Sequence, residues 1–424
     1  MKTVKQRSLP GPDDITRTLL PNGITVLART NYNSPSVVIG GYLPCGSLFD
    51  TDEKLGLADF TASGLLRGSE KRDFQKIFDD LESAGANLSF NAGGHTSGFT
   101  GRCLSEDLPL LLDLLAEALC RPVFPGEQVE RLRAQFLTGL ALRAQDTAGM
   151  ASLTFDQIVF DGHPYARPDD GWPETIQAIT RDDLSNFHRI HFGPRGLVLA
   201  IVGAIEPKSI AGQVAKVLGD WNNPSQPELP ALPELKPLKK TVTRKVNIPD
   251  KSQADLVIGS SGPRRKDPEY MPASLGNSVL GQFGMSGRIG EVVREKSGLA
   301  YYASSSLSAG IGPGAWDVSA GVNPGNVQKT SDLICKEIAR FVEKGVTAVE
   351  LADSQSNFIG RLPLSLESNA GVVIALLNIE RFDLGLDYYR RYPELVQAVT
   401  PEDVMATASK YLHPDKLAIA IAGS

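Results

Sequence analysis

Residues 176–203, IQAITRDDLSNFHRIHFGPRGLVLAIVG, align without a gap to residues 396–423, VQAVTPEDVMATASKYLHPDKLAIAIAG. Gln177 meets Gln397, Thr180 meets Thr400, Asp183 meets Asp403, Pro194 meets Pro414 and Gly203 meets Gly423, always 220 positions apart. That period is far longer than a solenoid unit, so the 424-residue chain is read as a duplicated domain. Each copy carries the same local instructions. A Thr stands at the N-cap and an Asp three residues on completes a capping box, followed by a helix, a Pro-containing loop and an apolar strand. Pro401 falls at the first helical position, where its missing N–H costs nothing. Between the copies, Pro224, Pro227, Pro230, Pro233 and Pro237 recur in a polar, stiff linker. The expected organisation is a first domain over 1–220, a linker over 221–240 and a homologous second domain over 241–424.

Within each half the apolar pattern alternates between strand and helix periods. Asn22-Gly23 separates the alternating runs ITRTLL and ITVLAR, a hairpin signal. Helices are expected over 56–66, 74–84 and 127–145, the last with Val129, Leu132, Phe136 and Leu140 on one face. Residues 87–104 read as two strands, and Ser105-Glu106-Asp107 caps an apolar helix through Cys120. The order gives an α+β fold class, with helices packed over mainly antiparallel sheets. A net charge of -6 and a pI near 5.6 argue against a nucleic-acid partner. No run of eighteen apolar residues appears, so no membrane span is expected. The N-terminal lysines lack an apolar stretch behind them, so a cytoplasmic location is expected, or a periplasmic one if a leader has been removed. The four cysteines, Cys45, Cys103, Cys120 and Cys335, are too scattered for a disulfide framework or a cysteine metal site.

The stretch SGRIGEVVREKSGLAYYASS, residues 286–305, is a helix-to-strand corner. Ile289, Val292 and Val293 are at helical spacing, Gly298 stops the helix, and Ala300-Tyr301-Tyr302-Ala303 begins a strand. Arg294 and Tyr301 flank that corner. A guanidinium fork and a phenol together can grip the carbonyl oxygens of an extended peptide, and the same residues can equally be a surface Arg and a half-buried strand Tyr.

Arg294-Glu295-Lys296-Ser297-Gly298-Leu299-Ala300-Tyr301 closely resembles the R-E-K-x-G-L-A-Y motif of the pitrilysin/insulinase family of zinc peptidases and mitochondrial processing peptidases. The resemblance extends from about Thr18 to Gly423. It implies two homologous domains of processing-peptidase type closing around a chamber, with Arg294 and Tyr301 binding substrate backbone from the domain opposite the zinc. Catalytic members carry H-x-x-E-H between a G-L-A and a G-T or G-S. Histidines four apart share a helix face and ligate zinc, while the glutamate activates the bound water. Here the matching stretch runs from Gly56 to Ser69, with Asp59 at the first histidine, Ala62 at the glutamate and Ser63 at the second histidine. Ala62 cannot act as a base and Ser63 is a poor zinc ligand. Glu130 lies close to the place of the family's distal glutamate ligand, and one carboxylate does not make a site.

Other candidates are weaker. His188 and His191 are three apart on a helix, but the second copy has Ala408 and Tyr411 there, which favours packing over ligation. His95 is a lone histidine between strands. Gly281, Gly284, Gly287 and Gly290 fit neither a dinucleotide fingerprint nor a P-loop and read as a mobile or close-packed loop, and 310–314 as a hairpin turn. The resemblance thus implies a subunit that completes a zinc metallopeptidase without holding the metal: no cofactor in this chain, zinc in a homologous H-x-x-E-H-bearing partner, and a peptide substrate. A structural subunit like the core proteins of the cytochrome bc1 complex, and a non-cleaving peptide-binding chamber, are the two alternatives.

Overall fold

The computed structural model describes residues 9–284 and 287–424. The hairpin turn at Pro21-Asn22-Gly23, with Gly23 in the left-handed region at φ 93°, joins β1 (Thr16–Leu19) to β2 (Thr25–Thr30). With β3 (Ser36–Leu43), β4 (Asn87–Ala92), β5 (Ser97–Leu104) and β6 (Val198–Gly203) they form a six-stranded sheet in the order β1-β2-β6-β3-β5-β4. The second sheet has β7 (Val242–Asn247), β8 (Ala254–Gly262), β9 (Ala300–Leu307), β10 (Gly314–Val322) and β11 (Ala418–Gly423) in the order β7-β11-β8-β10-β9.

The repeated strands β6 and β11 occupy equivalent places. Each pairs parallel with one neighbour, β2 or β7, and antiparallel with the other, β3 or β8, while the remaining ladders are antiparallel. The expected α+β architecture of mainly antiparallel sheets with packed helices is what the chain adopts. Both capping boxes form: Thr180 Oγ1 accepts from Asp183 N and Thr400 Oγ1 from Asp403 N, each at 3.2 Å, and Pro401 opens the second helix. The long helix Gly126–Arg143 buries Val129, Leu132 and Leu140 as its spacing predicts.

Two compact units result, and they differ from the contiguous halves 1–220 and 241–424. The first comprises 1–140, 168–231 and 362–391, and the second 141–167, 232–361 and 392–424. The cause is a reciprocal loan of one helix. Thr147–Val159, encoded in the first half, puts Ala151, Phe155 and Ile158 against Val257, Ala418, Ala420 and Ala422 of the second sheet. Asn369–Arg381, encoded in the second half, puts Val372, Val373 and Leu376 against Val38, Val198 and Val202 of the first. Small residues admit the close approach: a Cβ at Gly40 of β3 would stand 2.6 Å from Val373 Cγ1. The polar linker is itself pinned in the first unit, where Gln226, buried at 3% exposure, exchanges hydrogen bonds with the backbone of Arg195 through its Oε1 (3.1 Å) and Nε2 (3.0 Å).

Candidate functional site

The corner carrying Arg294 and Tyr301 lies wholly in the second unit. Gly287–Ile289 runs into a turn of π-helix, Gly290–Glu295, in which Lys296 N donates to Glu291 O at 2.9 Å. Ile289 and Val293, four residues apart, are buried, while Arg294 faces out. Gly298, at φ 62°, then reverses the chain, with Gly298 N donating to Arg294 O and Leu299 N to Val293 O. Two of the glycines before it are close-packed, since a Cβ at Gly281 would meet Ser305 N at 2.3 Å and one at Gly287 would meet Val279 O at 2.6 Å, whereas a Cβ at Gly284 would meet nothing within 4 Å.

Arg288, which sequence reasoning passed over, fixes the start of this helix. Its Nε and Nη2 donate to the two carboxylate oxygens of Glu350 at 2.7 and 2.6 Å, a bidentate fork. That hydrogen bonding, aided by Thr347, holds the Glu350 carboxyl down at about 2 despite partial burial. Arg294 has no such anchor among the described residues, its nearest carboxylate being Glu295 at 3.7 Å. Tyr301 is 77% exposed. The β9–β10 register explains why: Gly321 pairs with Tyr302 and Val322 with Ala300, which leaves Tyr301 as the extra residue of a β-bulge. The structure thus turns both motif side chains outward at one corner, unlike the half-buried strand Tyr that the residues alone also allowed.

The degenerate motif lies in the first unit, on the helix Leu57–Gly64, whose first turn is held by Asp50 accepting from Gly56 N and Ala58 N at 3.0 Å each. Asp59 Oδ1 accepts from Ala92 N at 3.1 Å, joining the helix to the end of edge strand β4. Burial, reinforced by Asp170 and Asp169 and opposed by the Ala92 bond, pushes the Asp59 carboxyl up to about 6. Ala62 is 1% exposed and offers only a methyl group. Glu130 is occupied elsewhere, its two oxygens accepting from Nε and Nη2 of Arg133 at 3.0 Å each. A zinc site of the H-x-x-E-H type does not fit these residues, because a carboxylate, a methyl and a hydroxyl stand where two imidazoles and a base are required. Among the described residues no group of three His, Cys, Asp or Glu is placed to hold a metal ion.

The helix histidines are packing residues. His188 Nε2 lies 2.9 Å from Leu119 O and burial lowers its pKa to about 4, while the His191 ring lies 4.3 Å from that of Phe49 and 4.5 Å from that of Phe187. No single described helix is long and apolar enough to cross a membrane.

Residues 25–147 match the family model described as insulinase (peptidase family M16), and residues 178–358 match the peptidase M16 inactive domain. The chain belongs to peptidase family M16. Among M16 relatives, an uncharacterized zinc protease of Streptomyces coelicolor is 26% identical over 409 residues, 95% of this chain and 88% of that protein. A probable mitochondrial-processing peptidase subunit beta of Arabidopsis thaliana is 22% identical over 422 residues, 96% of this chain and 78% of that protein. The crystal structure of a peptidase M16 inactive domain from Pseudomonas fluorescens superposes with a TM-score of 0.89 at 27% identity, covering 97% of this chain and 98% of that one. Asp59, Ala62 and Ser63 fall within the residues matched by the insulinase model, and Arg294 and Tyr301 within those matched by the inactive-domain model.

Proposed function

We propose that this M16 chain is the non-catalytic, substrate-binding subunit of a heteromeric zinc metallopeptidase, supplying Arg294 and Tyr301 opposite the zinc site of a homologous H-x-x-E-H-bearing subunit. The observation that carries the reading is a division of labour within one sequence. The metal-binding positions are lost to Asp59, Ala62 and Ser63, while the Arg294 to Tyr301 motif is intact and both its functional side chains are exposed. A guanidinium with no fork of its own and a bulged phenol are suited to the carbonyl oxygens of an extended peptide, which the partner's zinc-bound water would attack. The relative from Arabidopsis, named as a subunit, supports an assembled rather than a solitary role.

Mixing the chain with an H-x-x-E-H homologue is expected to give a 1:1 complex whose peptide hydrolysis exceeds that of either component alone. A chain that joins no such homologue, or joins one without raising hydrolysis, would favour a structural subunit. Purified by itself, it is expected to hold no stoichiometric zinc and cleave no peptide. Elemental analysis finding one tightly held zinc per chain, with hydrolysis abolished by chelator, would overturn that expectation.

A further inference from the structure

Next to Tyr301 stands a second tyrosine, 37% exposed, whose hydroxyl is held. Tyr302 turns its ring back across Gly321 of β10, where a Cβ would lie 2.5 Å from the ring, and its hydroxyl donates to Asp255 Oδ1 on β8 at 2.5 Å. Asp255 is 1% exposed. Its Oδ2 accepts from Thr147 Oγ1 at 2.5 Å, and Gln253 Nε2 reaches both oxygens at 3.2 and 3.1 Å. A carboxylate buried this deeply needs donors on each oxygen, so each of the three is costly to remove.

We infer that Tyr302, clamped by Asp255 and Thr147, is the positioning residue that aims Tyr301 at the substrate backbone. The inference rests on the substrate-binding reading of Tyr301 given above. A β-bulge leaves one residue outside the ladder, and such a residue is free to rotate unless a neighbour is fixed. Here the residue on one side, Tyr302, is fixed through its side chain as well as its ladder pairing with Gly321, and the missing Cβ at position 321 makes room for that ring. Thr147 opens the helix lent by the first half of the chain, so the clamp ties the bulge to the sheet and to that helix together.

The test uses Tyr302→Phe, which removes one hydroxyl and keeps the ring on Gly321. In the complex with an H-x-x-E-H homologue, Tyr302→Phe is expected to lower kcat/KM by no more than Tyr301→Phe does, about two- to tenfold, the scale of one neutral hydrogen bond. Tyr301→Phe/Tyr302→Phe together should be no slower than Tyr301→Phe alone, because a hydroxyl that is absent cannot be misplaced. Losses that multiply would mean Tyr302 acts on the fold at large and would overturn the inference.

Hydrogen exchange on the chain by itself supplies a readout that needs no activity. The Tyr301 and Tyr302 amides should exchange about tenfold faster in Tyr302→Phe with the β8–β10 ladder unchanged. Asp255→Asn keeps one oxygen to accept from Tyr302 but turns an amide towards Thr147 and Gln253, so its bulge exchange should fall between wild type and Asp255→Ala. Unchanged bulge exchange in Tyr302→Phe sinks the clamp. Wild-type turnover in Arg294→Ala would instead sink the substrate-binding reading, with the exchange result still standing.

Discussion

Arg294→Ala in the assembled peptidase is expected to lower kcat/KM by about one to two decades, since losing a charged hydrogen bond costs about 1.5–3 kcal/mol and each 1.4 kcal/mol is tenfold. Thermal stability should scarcely change. The Arg294 side chain is 42% exposed and its neighbour Glu295 47% exposed at 3.7 Å, the kind of surface pair that contributes little. Loss of function at constant stability is what separates a ligand-facing arginine from a structural one. Arg288 makes the contrasting control within the same helix: 11% exposed and forked onto Glu350, it should cost stability when removed. Arg294→Lys keeps the charge but not the planar fork and should recover only part of the rate. Tyr301→Phe, which removes only a hydroxyl, should have a smaller effect than Arg294→Ala. The measurement is peptide hydrolysis by the complex with thermal melting of each variant beside it, and wild-type rates from Arg294→Ala would return the pair to an ordinary surface Arg and strand Tyr.

The corner at 287–302 shows how far the sequence carries and where it stops. Gly298, the apolar spacing of Ile289 and Val293, and the strand that follows were legible because each is a local instruction. The paired capping boxes at Thr180 and Thr400 were legible for the same reason. The bulge that expels Tyr301 was not, because it depends on Gly321 of β10 lying opposite, and register between distant strands leaves no mark in either strand alone.

The exchanged helices were hidden for a related reason. Phe155 and Ile158, or Val373 and Leu376, announce an apolar face without saying which sheet receives it. A duplicated chain offers two nearly equivalent sheets, so each helix reads as belonging to its own half. Tyr302, Asp255 and Thr147 meet only after that exchange, and the one signal available in advance was a second tyrosine directly following the motif tyrosine. At the degenerate metal positions only residue type can be read in advance: Ala62 offers no donor atom in sequence or in space, whereas the burial of Asp59 and its bond from Ala92 N depend on the fold.

Asp59 carries the other large effect. Its carboxyl titrates near 6 in the fold against an ordinary value of 3.8, so the folded state holds the proton more tightly than the unfolded chain. The sign follows from that order. Below about pH 4 the group is protonated in both states and costs nothing, and as pH rises through the window from about 4 to 6 stability is lost, by about 3 kcal/mol at neutral pH. Asp59→Asn removes the charge while keeping an oxygen to accept from Ala92 N, so it should stabilise the chain at pH 7 by up to about 3 kcal/mol and by almost nothing at pH 4. Urea unfolding at the two pH values decides the matter. An equal gain at both would assign the effect to packing, and no gain at pH 7 would show that the buried charge is already compensated. Asp59→His should likewise relieve the repulsion from Asp169 and Asp170. With Ala62 and Ser63 unchanged, however, it restores one ligand of the three a zinc site needs, so the chain should gain stability at pH 7 without gaining metal.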